Sequence, residues 1–327
     1  MSQILVYLTH KNGAVDDCAL ELAAVARKID PAGAPIAILS GIGSQLHDAC
    51  KSLSGAFSEV WKVANQALSH PNAEVVRKAL VKIVPANSIV LMAHDHFGID
   101  LAPGLSVNLN AAFVSDILDV EVLDSSCLKV ARQEFGGQFS AHVRCDVSSG
   151  AVITVRPGAF RATETAPVQG TIVEKTIEVG ELTARRRYVE TIEPEAGDVD
   201  ITKQNILVSV GRGIQEQDNI HMAEELAEAL EAAVSCSRPV VDAKWLPKSR
   251  QVGSSGKTVK PKLYLACGIS GASQHLAGIK GSFLIAINKN AKAPIFQVAD
   301  VGIVDDILEF LPELTNKVRE THAVSSK

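Results

Sequence analysis

No uninterrupted apolar run in this 327-residue chain approaches the roughly 20 residues that a membrane span needs, so no spanning helix is expected. An excess of positive charge is also missing. The 32 Lys and Arg residues stand against 37 Asp and Glu, a formal net charge of −5, which argues against a nucleic-acid partner and leaves room only for local phosphate sites. None of the six cysteines (Cys18, Cys50, Cys127, Cys145, Cys236, Cys267) stands in a CxxC pair. Neither a zinc site nor an iron–sulfur cluster is therefore expected, and reduced thiols of a cytoplasmic protein are the natural reading. The chain runs from Met1 straight into the apolar Ile4, Leu5, Val6, Tyr7 and Leu8, without the charged, apolar and cleavage regions of an export signal. A soluble protein without signal or transit peptide is expected.

What is there is the material of two ordinary globular domains. The length exceeds what one core usually organises. An apolar share of 46% with 21% charged residues leaves no room for large-scale disorder. In the first part, apolar runs at 4–8, 35–39, 59–63 and 88–92 read as strands. Helical spacing at 16–28 and 72–84 lies among them, the second stretch ended by Pro85. Apolar strands separated by helices imply a parallel sheet covered on both faces. From about 114 to 179 the pattern changes to short strands at 127–132, 140–146 and 151–156, punctuated by Gly136-Gly137 and Ser149-Gly150, which suggests hairpins added to that sheet. Between Glu190 and Asp200 five acidic residues accompany Pro194 and Gly197, the composition of a solvated linker. The expected organisation is a nucleotide-hydrolase-like N-terminal α/β domain at 1–189, an acidic linker at 190–203 and a C-terminal Rossmann-like doubly wound domain at 204–327. Strands of that last domain are expected at 205–210, 239–241, 262–266, 283–288 and 295–298, with a helix at 221–233.

Four segments of the C-terminal domain put glycine, hydroxyl or basic residues beside expected strands, where open α/β sheets form their ligand crevice. Gly211-Arg212-Gly213 follows the first strand, but Glu216 stands where a dinucleotide fingerprint has its third glycine. A tight turn is the plainer reading of that pair, although Asp242 after the next strand leaves a nicotinamide ribose open. Ser237-Arg238-Pro239 offers an arginine that the proline biases towards extended backbone, suited to a phosphate or an aromatic ring and equally to a surface ion pair. Gln251-Val252-Gly253-Ser254-Ser255-Gly256-Lys257 supplies two hydroxyls between glycines without the spacing of a Walker loop, and taken alone is most simply a flexible polar loop. The most specific segment is Gly268-Ile269-Ser270-Gly271-Ala272-Ser273-Gln274-His275. There a strand end leads to a helix whose first N–H groups suit a pyrophosphate, and His275 could turn a positive charge towards a ligand.

Residues 263–288, together with 293–300 and Gly302-Ile303-Val304, closely resemble the signature of electron-transfer flavoprotein alpha subunits. The other three loops match in order and spacing, and Arg156-Pro157 with Phe160 looks like the family's first-domain ending. The resemblance implies one FAD per heterodimer. Ser270, Gly271, Ala272, Ser273, Gln274 and His275 would cradle the pyrophosphate, with His275 near the flavin C2 carbonyl. Arg212, Asn288 and Asp300 would hold the adenosine diphosphate half. Ser237 and Arg238 would flank the isoalloxazine ring, and Ser255 on the Val252, Gly253, Ser254 loop would reach N5. Two departures stand out. Ser254-Ser255 replaces the usual Gln-Thr, which leaves the Ser255 rotamer less fixed, and Val210 stands where a further glycine is common.

The resemblance further implies an electron carrier in a bacterial cytoplasm, not a substrate-converting enzyme. It would need a beta subunit that completes the site and often binds AMP. A flavin-dependent dehydrogenase, such as an acyl-CoA dehydrogenase, would be the donor and a quinone reductase or other partner the acceptor. A nicotinamide-dependent oxidoreductase and a nucleotide-binding regulatory protein are the competing readings. His94-Asp95-His96 lacks a third ligand nearby for a metal, and Arg185, Arg186 and Arg187 are most simply a solvated strand end.

Overall fold

The computed structural model describes residues 3–16, 18–162, 169–177, 182–191 and 199–325. The chain divides into two compact units, Met1–Glu190 and Thr191–Lys327. Half of the stretch expected as a linker, 192–198, lies outside the described residues. Its end, Ile201–Lys203, is a 3-10 turn whose first turn is held by the Asp200 carboxylate, which accepts the Thr202 N–H.

In the first unit β1 (Ile4–Leu8), β2 (Ile36–Gly41), β3 (Glu59–Ala64) and β4 (Ile89–Ala93) alternate with α1 (Cys18–Ile29), α2 (Gly43–Leu53), α3 (Ala73–Ile83) and α4 (His96–Leu109). Then come β5 (Ala112–Val122), β6 (Cys127–Glu134), β7 (Phe139–Asp146), β8 (Ala151–Val155) and β9 (Thr171–Glu174). Among the described residues they form one nine-stranded sheet in the order β9-β3-β2-β1-β4-β8-β5-β6-β7. Every residue of β1 and β8 is buried, as parallel strands covered on both faces require.

Of the expected hairpins β6-β7 forms, antiparallel, and β5-β6 is a second antiparallel pair beside it. The segment at 151–156 is not part of them. As β8 it runs parallel to both β4 and β5 and carries the sheet's core through its middle. The long β5 had no expected counterpart, because its Asp116, Asp119 and Glu121 break the apolar run. Asp116 sits at a φ of 60° where the β8-β5 register shifts. Its N–H is satisfied by the Thr154 hydroxyl at 2.9 Å, and its carboxylate receives Arg156 Nε at 2.9 Å.

The second unit is a five-stranded parallel sheet of β10 (Ile206–Val210), β11 (Ala233–Cys236), β12 (Leu263–Cys267), β13 (Phe283–Ile287) and β14 (Val301–Ile303), in the order β11-β10-β12-β13-β14. One face packs Val208, Val210, Leu265 and Ile287 against α5 (Ile220–Ala229) and α8 (Ile307–Ser325) through Leu226, Ile307 and Leu311. The other face buries Leu207, Tyr264, Ala266 and Ala286 under Val252, Ile269 and Ile295, which lie on loops. Between the strands stand two further short helices, α6 (Arg238–Asp242) and α7 (Ser273–Leu276).

Three expected elements change. The strand at 239–241 is instead α6, following β11, because Pro239 cannot donate to a sheet ladder but loses nothing in a helix's first turn. The apolar 295–298 belongs to a 3-10 turn, Pro294–Gln297, and the strand starts at Val301. The helix expected to reach 233 stops at Ala229, and Ala233 opens β11. Among the described residues no helix is long and apolar enough to cross a membrane.

Candidate functional site

In chain order the five strands of the second sheet stand 2-1-3-4-5, so the chain's crossovers reverse beside β10. A crevice forms at the carboxyl ends of β10 and β12, the position where open sheets of this order bind ligands. Two glycine loops meet there. The Gly211 N–H donates to the Cys267 carbonyl at 2.8 Å and the Gly213 N–H to that of Gly268 at 3.1 Å. A Cβ on Gly211 would lie 2.4 Å from the Gly268 oxygen, and one on Gly268, whose φ is +65°, would lie 2.7 Å from the Gly213 Cα. These glycines let two backbones cross each other, in keeping with the tight turn that is the plainer reading of the pair. Nor does the turn lead directly into a helix: Arg212–Ile214 is a 3-10 turn, and α5 begins only at Ile220. Arg212 itself projects from the turn, exposed.

The neighbouring loops are stitched onto this crossing. The Ser237 N–H donates to the Val210 carbonyl at 3.0 Å, and the Val252 N–H to that of Cys236 at 2.9 Å. Ser237 is buried, whereas Arg238 is exposed at the start of α6, its Nε 3.4 Å from Asp242 Oδ2. Helical backbone at Arg238 replaces the extended one expected. Asp242 therefore closes the helix that follows β11, with its carboxylate turned to Arg238.

Gly253, at a φ of +135°, brings its loop against α7, where the Ser254 N–H donates to the Gln274 carbonyl at 2.7 Å. Val252 and Gly253 are buried, while Ser254 and Ser255 face outward. Across the crevice, Ser270 accepts the Ile295 N–H at 3.1 Å, and any Cβ on Gly271 would collide with Ile295 N at 2.3 Å. Ala272, Ser273 and Gln274 are exposed at the start of α7, whose first N–H groups have no acceptor within the helix. Asn288 anchors the rim from β13's end, donating from Nδ2 to the Ile269 carbonyl at 2.9 Å.

His275 lies beneath this rim, only 6% exposed. Its Nε2 is 2.9 Å from the Tyr264 hydroxyl and its Nδ1 3.2 Å from the Val252 carbonyl oxygen, and Tyr264 donates in turn to Ser209 Oγ at 2.7 Å. Each ring nitrogen thus faces an oxygen able to accept, an arrangement that an imidazolium would satisfy. Burial opposes that charge and holds the pKa down to about 4, the Val252 carbonyl pulling the other way. The protein on its own therefore keeps His275 neutral at pH 7, and the positive charge that it could turn towards a ligand is not present beforehand.

Asp300 does not join the others. Its carboxylate accepts the Leu284 N–H at 2.7 Å, near the amino end of β13, so about 10 Å of strand separates it from the crevice. The acidic group at the carboxyl end of β14 is Asp306, which the sequence reading missed. It accepts the Leu308 N–H at the start of α8 and pairs with Lys289 Nζ at 2.5 Å. An aspartate just before a long amphipathic helix was the available signal.

Arg212, Arg238, Ser254, Ser255, Ser270, Ser273 and Gln274 are exposed on these loops, with His275 buried and Asn288 half-buried beside them. That chemistry suits a diphosphate and the polar edge of a ring system. A separate cavity of about 520 Å³, with Ala233, Val234, Leu246 and Arg250 in its wall, lies at the amino end of β11, away from these loops. Among the described residues no group of three or more His, Cys, Asp or Glu could hold a metal ion.

Comparison with known proteins agrees with the geometry. Residues 200–280 match the family described as the electron transfer flavoprotein FAD-binding domain, and residues 4–193 match the electron transfer flavoprotein domain. The electron transfer flavoprotein subunit alpha of Thermoanaerobacterium thermosaccharolyticum is 33% identical, the match covering 97% of this chain and 98% of the relative. That of Methylophilus methylotrophus is 34% identical over 96% and 98%. The lactate dehydrogenase (NAD(+),ferredoxin) subunit LctC of Acetobacterium woodii is 33% identical over 96% of this chain and 76% of its own. A solved thiamin diphosphate-dependent enzyme from Mycobacterium smegmatis aligns with 91% of this chain and 53% of its own at 14% identity, with a TM-score of 0.22 that carries no functional weight. The chain belongs to the electron transfer flavoprotein family, as an alpha subunit.

Proposed function

We propose that this chain carries one FAD at the β10/β12 crevice, within a cytoplasmic heterodimer that passes electrons between partner proteins and converts no substrate of its own. The observation that carries the reading is the convergence, at one switch point, of the hydroxyl loop, the Arg238 turn and the α7 start above a buried histidine, inside the segment that matches the FAD-binding domain.

Each residue has a physical task on this reading. Exposed Ser270 and Ser273, with the N–H groups of Gly271, Ala272 and Gln274, receive the pyrophosphate at the start of α7. Arg212 and Asn288 hold the adenosine half, and Asp300, bonded near the amino end of β13, stands apart from it. Arg238 and Ser237 stand beside the ring, where the guanidinium favours added negative charge. Ser255, from the Val252, Gly253, Ser254 loop, donates a hydrogen bond to the ring. His275 accepts a proton at whichever ring nitrogen the ligand's charge favours. Bound FAD supplies the one-electron and two-electron chemistry that no side chain here offers.

A beta subunit, itself able to take AMP, covers the open side of the rim. A flavin-dependent dehydrogenase such as an acyl-CoA dehydrogenase donates, and a quinone reductase or another carrier accepts. The test is to co-purify the chain with its beta subunit, denature it and quantify released flavin. About one FAD per heterodimer, reducible by a donor dehydrogenase, is the expected result. A colourless complex, or one that binds a nicotinamide nucleotide instead, would overturn the reading.

A further inference from the structure

Gln251 precedes the hydroxyl loop and is only 3% exposed. Its backbone is pinned on both sides: its N–H donates to the Lys248 carbonyl at 3.1 Å, and its carbonyl accepts the Lys257 N–H at 2.8 Å. Its stem is clamped by Gly256, where an added Cβ would lie 3.0 Å from Gln251 Cγ and 2.4 Å from its carbonyl oxygen. The side chain so held donates from Nε2 to Ser255 Oγ at 2.8 Å.

An amide nitrogen can donate but not accept. Ser255 therefore spends a lone pair on Gln251, and its own hydroxyl proton is left to point away from the loop interior, on the exposed side. Serine has three staggered rotamers of comparable energy, whereas a β-branched threonine is restrained by its methyl group. The hydrogen bond from a clamped glutamine supplies that restraint from outside the residue.

We infer that Gln251 is the positioning residue of the flavin site, fixing Ser255 in one rotamer and one donor polarity so that its proton is presented to the bound ring. The inference rests on the FAD reading above, and on the Ser255 part of it in particular.

The experiment uses the heterodimer with FAD bound, and reads the flavin's redox equilibrium against a reference dye. Gln251→Met keeps the volume and removes the donor. It should shift the equilibrium towards oxidised flavin about fivefold, as loss of one oriented hydrogen bond would. Ser255→Ala should shift it at least as far, and the double variant no further than Ser255→Ala alone. In a Ser255→Thr background, where the methyl group restrains the hydroxyl, Gln251→Met should move the equilibrium less than twofold.

An unchanged equilibrium in Gln251→Met, or a shift as large in the Ser255→Ala background as in the parent, would overturn the inference. Should Gln251→Met not fold, Gln251→Glu is isosteric. Its carboxylate accepts from Ser255 and turns the proton inward, so its shift must shrink when Ser255 is alanine, and a shift of undiminished size overturns the inference. A parent heterodimer without flavin refutes the functional reading instead, and the two failures are thereby distinguished.

Discussion

The two units are built on the same plan and end differently at the same place. In each, the first strand lies between two parallel neighbours and the crossovers reverse beside it, so each has a switch point at the carboxyl end of that strand. In the first unit large side chains fill it. Buried Tyr7 at the end of β1 stacks on Phe97 with ring centroids 6.2 Å apart, Asp95 spends its carboxylate on the Gly98 N–H at 2.7 Å, and the remaining cavity is about 20 Å³. In the second unit three glycines cross there, leaving the rim to polar side chains. The sheet order sets where a ligand can sit, and the size and charge of a few residues decide whether one does.

Breaking the glycine crossing should have the largest effect. Gly268→Ala puts a methyl group against backbone at a φ that L-residues avoid. It should cost about 3 kcal/mol or more and abolish flavin retention, measured by thermal melting and bound FAD. The control lies in the other unit. Gly43 has a similar φ of +68° with open space around it, so Gly43→Ala should cost only about 1 kcal/mol.

Acid should weaken the second unit through His275. The histidine titrates near 4 when folded and near 6.5 when unfolded, so the unfolded chain binds more protons between those values. Stability should fall as pH drops from 6.5 to 4, by on the order of 3 kcal/mol in the flavin-free protein. Urea melts across that range would show it, and a His275→Gln variant that keeps the same slope would contradict the assignment.

The filled crevice can be tested by emptying it. Phe97→Ala should destabilise the first unit by about 2 kcal/mol without conferring adenine-nucleotide binding, because the carboxylates of Asp95 and Asp16 still line the space. Calorimetric titration with AMP that gave a saturable signal would show that bulk alone had closed it. Smallest for the fold is Arg238→Ala. Its ion pair with Asp242 is exposed and should matter by less than about 0.5 kcal/mol. The flavin's redox equilibrium should nonetheless shift about tenfold towards the oxidised form, read by dye titration.

How much of this was legible in the sequence follows from what each feature depends on. Continuous apolar runs such as Ile4 to Leu8 declared buried parallel strands, and the Gly268 to His275 stretch declared a strand end with a helix start. Features that depend on a distant partner stayed hidden. Nothing local says that 151–155 would slot between β4 and β5, because strand neighbours are chosen by tertiary packing. The run Pro239-Val240-Val241 looks like a strand until the missing N–H of proline is given its due weight. Asp300 and Asp306 both flank the short β14, and only the direction of that strand tells which one lies at its carboxyl end. The neutrality of His275 is a matter of dehydration, which no motif encodes.

The loop-covered face of the second sheet has a consequence for how the protein acquires its cofactor. Ser254 is bonded to Gln274, Ser270 to Ile295, and Val252 to both His275 and β11's end. No one of these loops can lift off without breaking a backbone bond to the next. Loading and release are therefore expected to involve the whole face together, with flavin binding slowing amide hydrogen exchange across all of these loops and not at one alone.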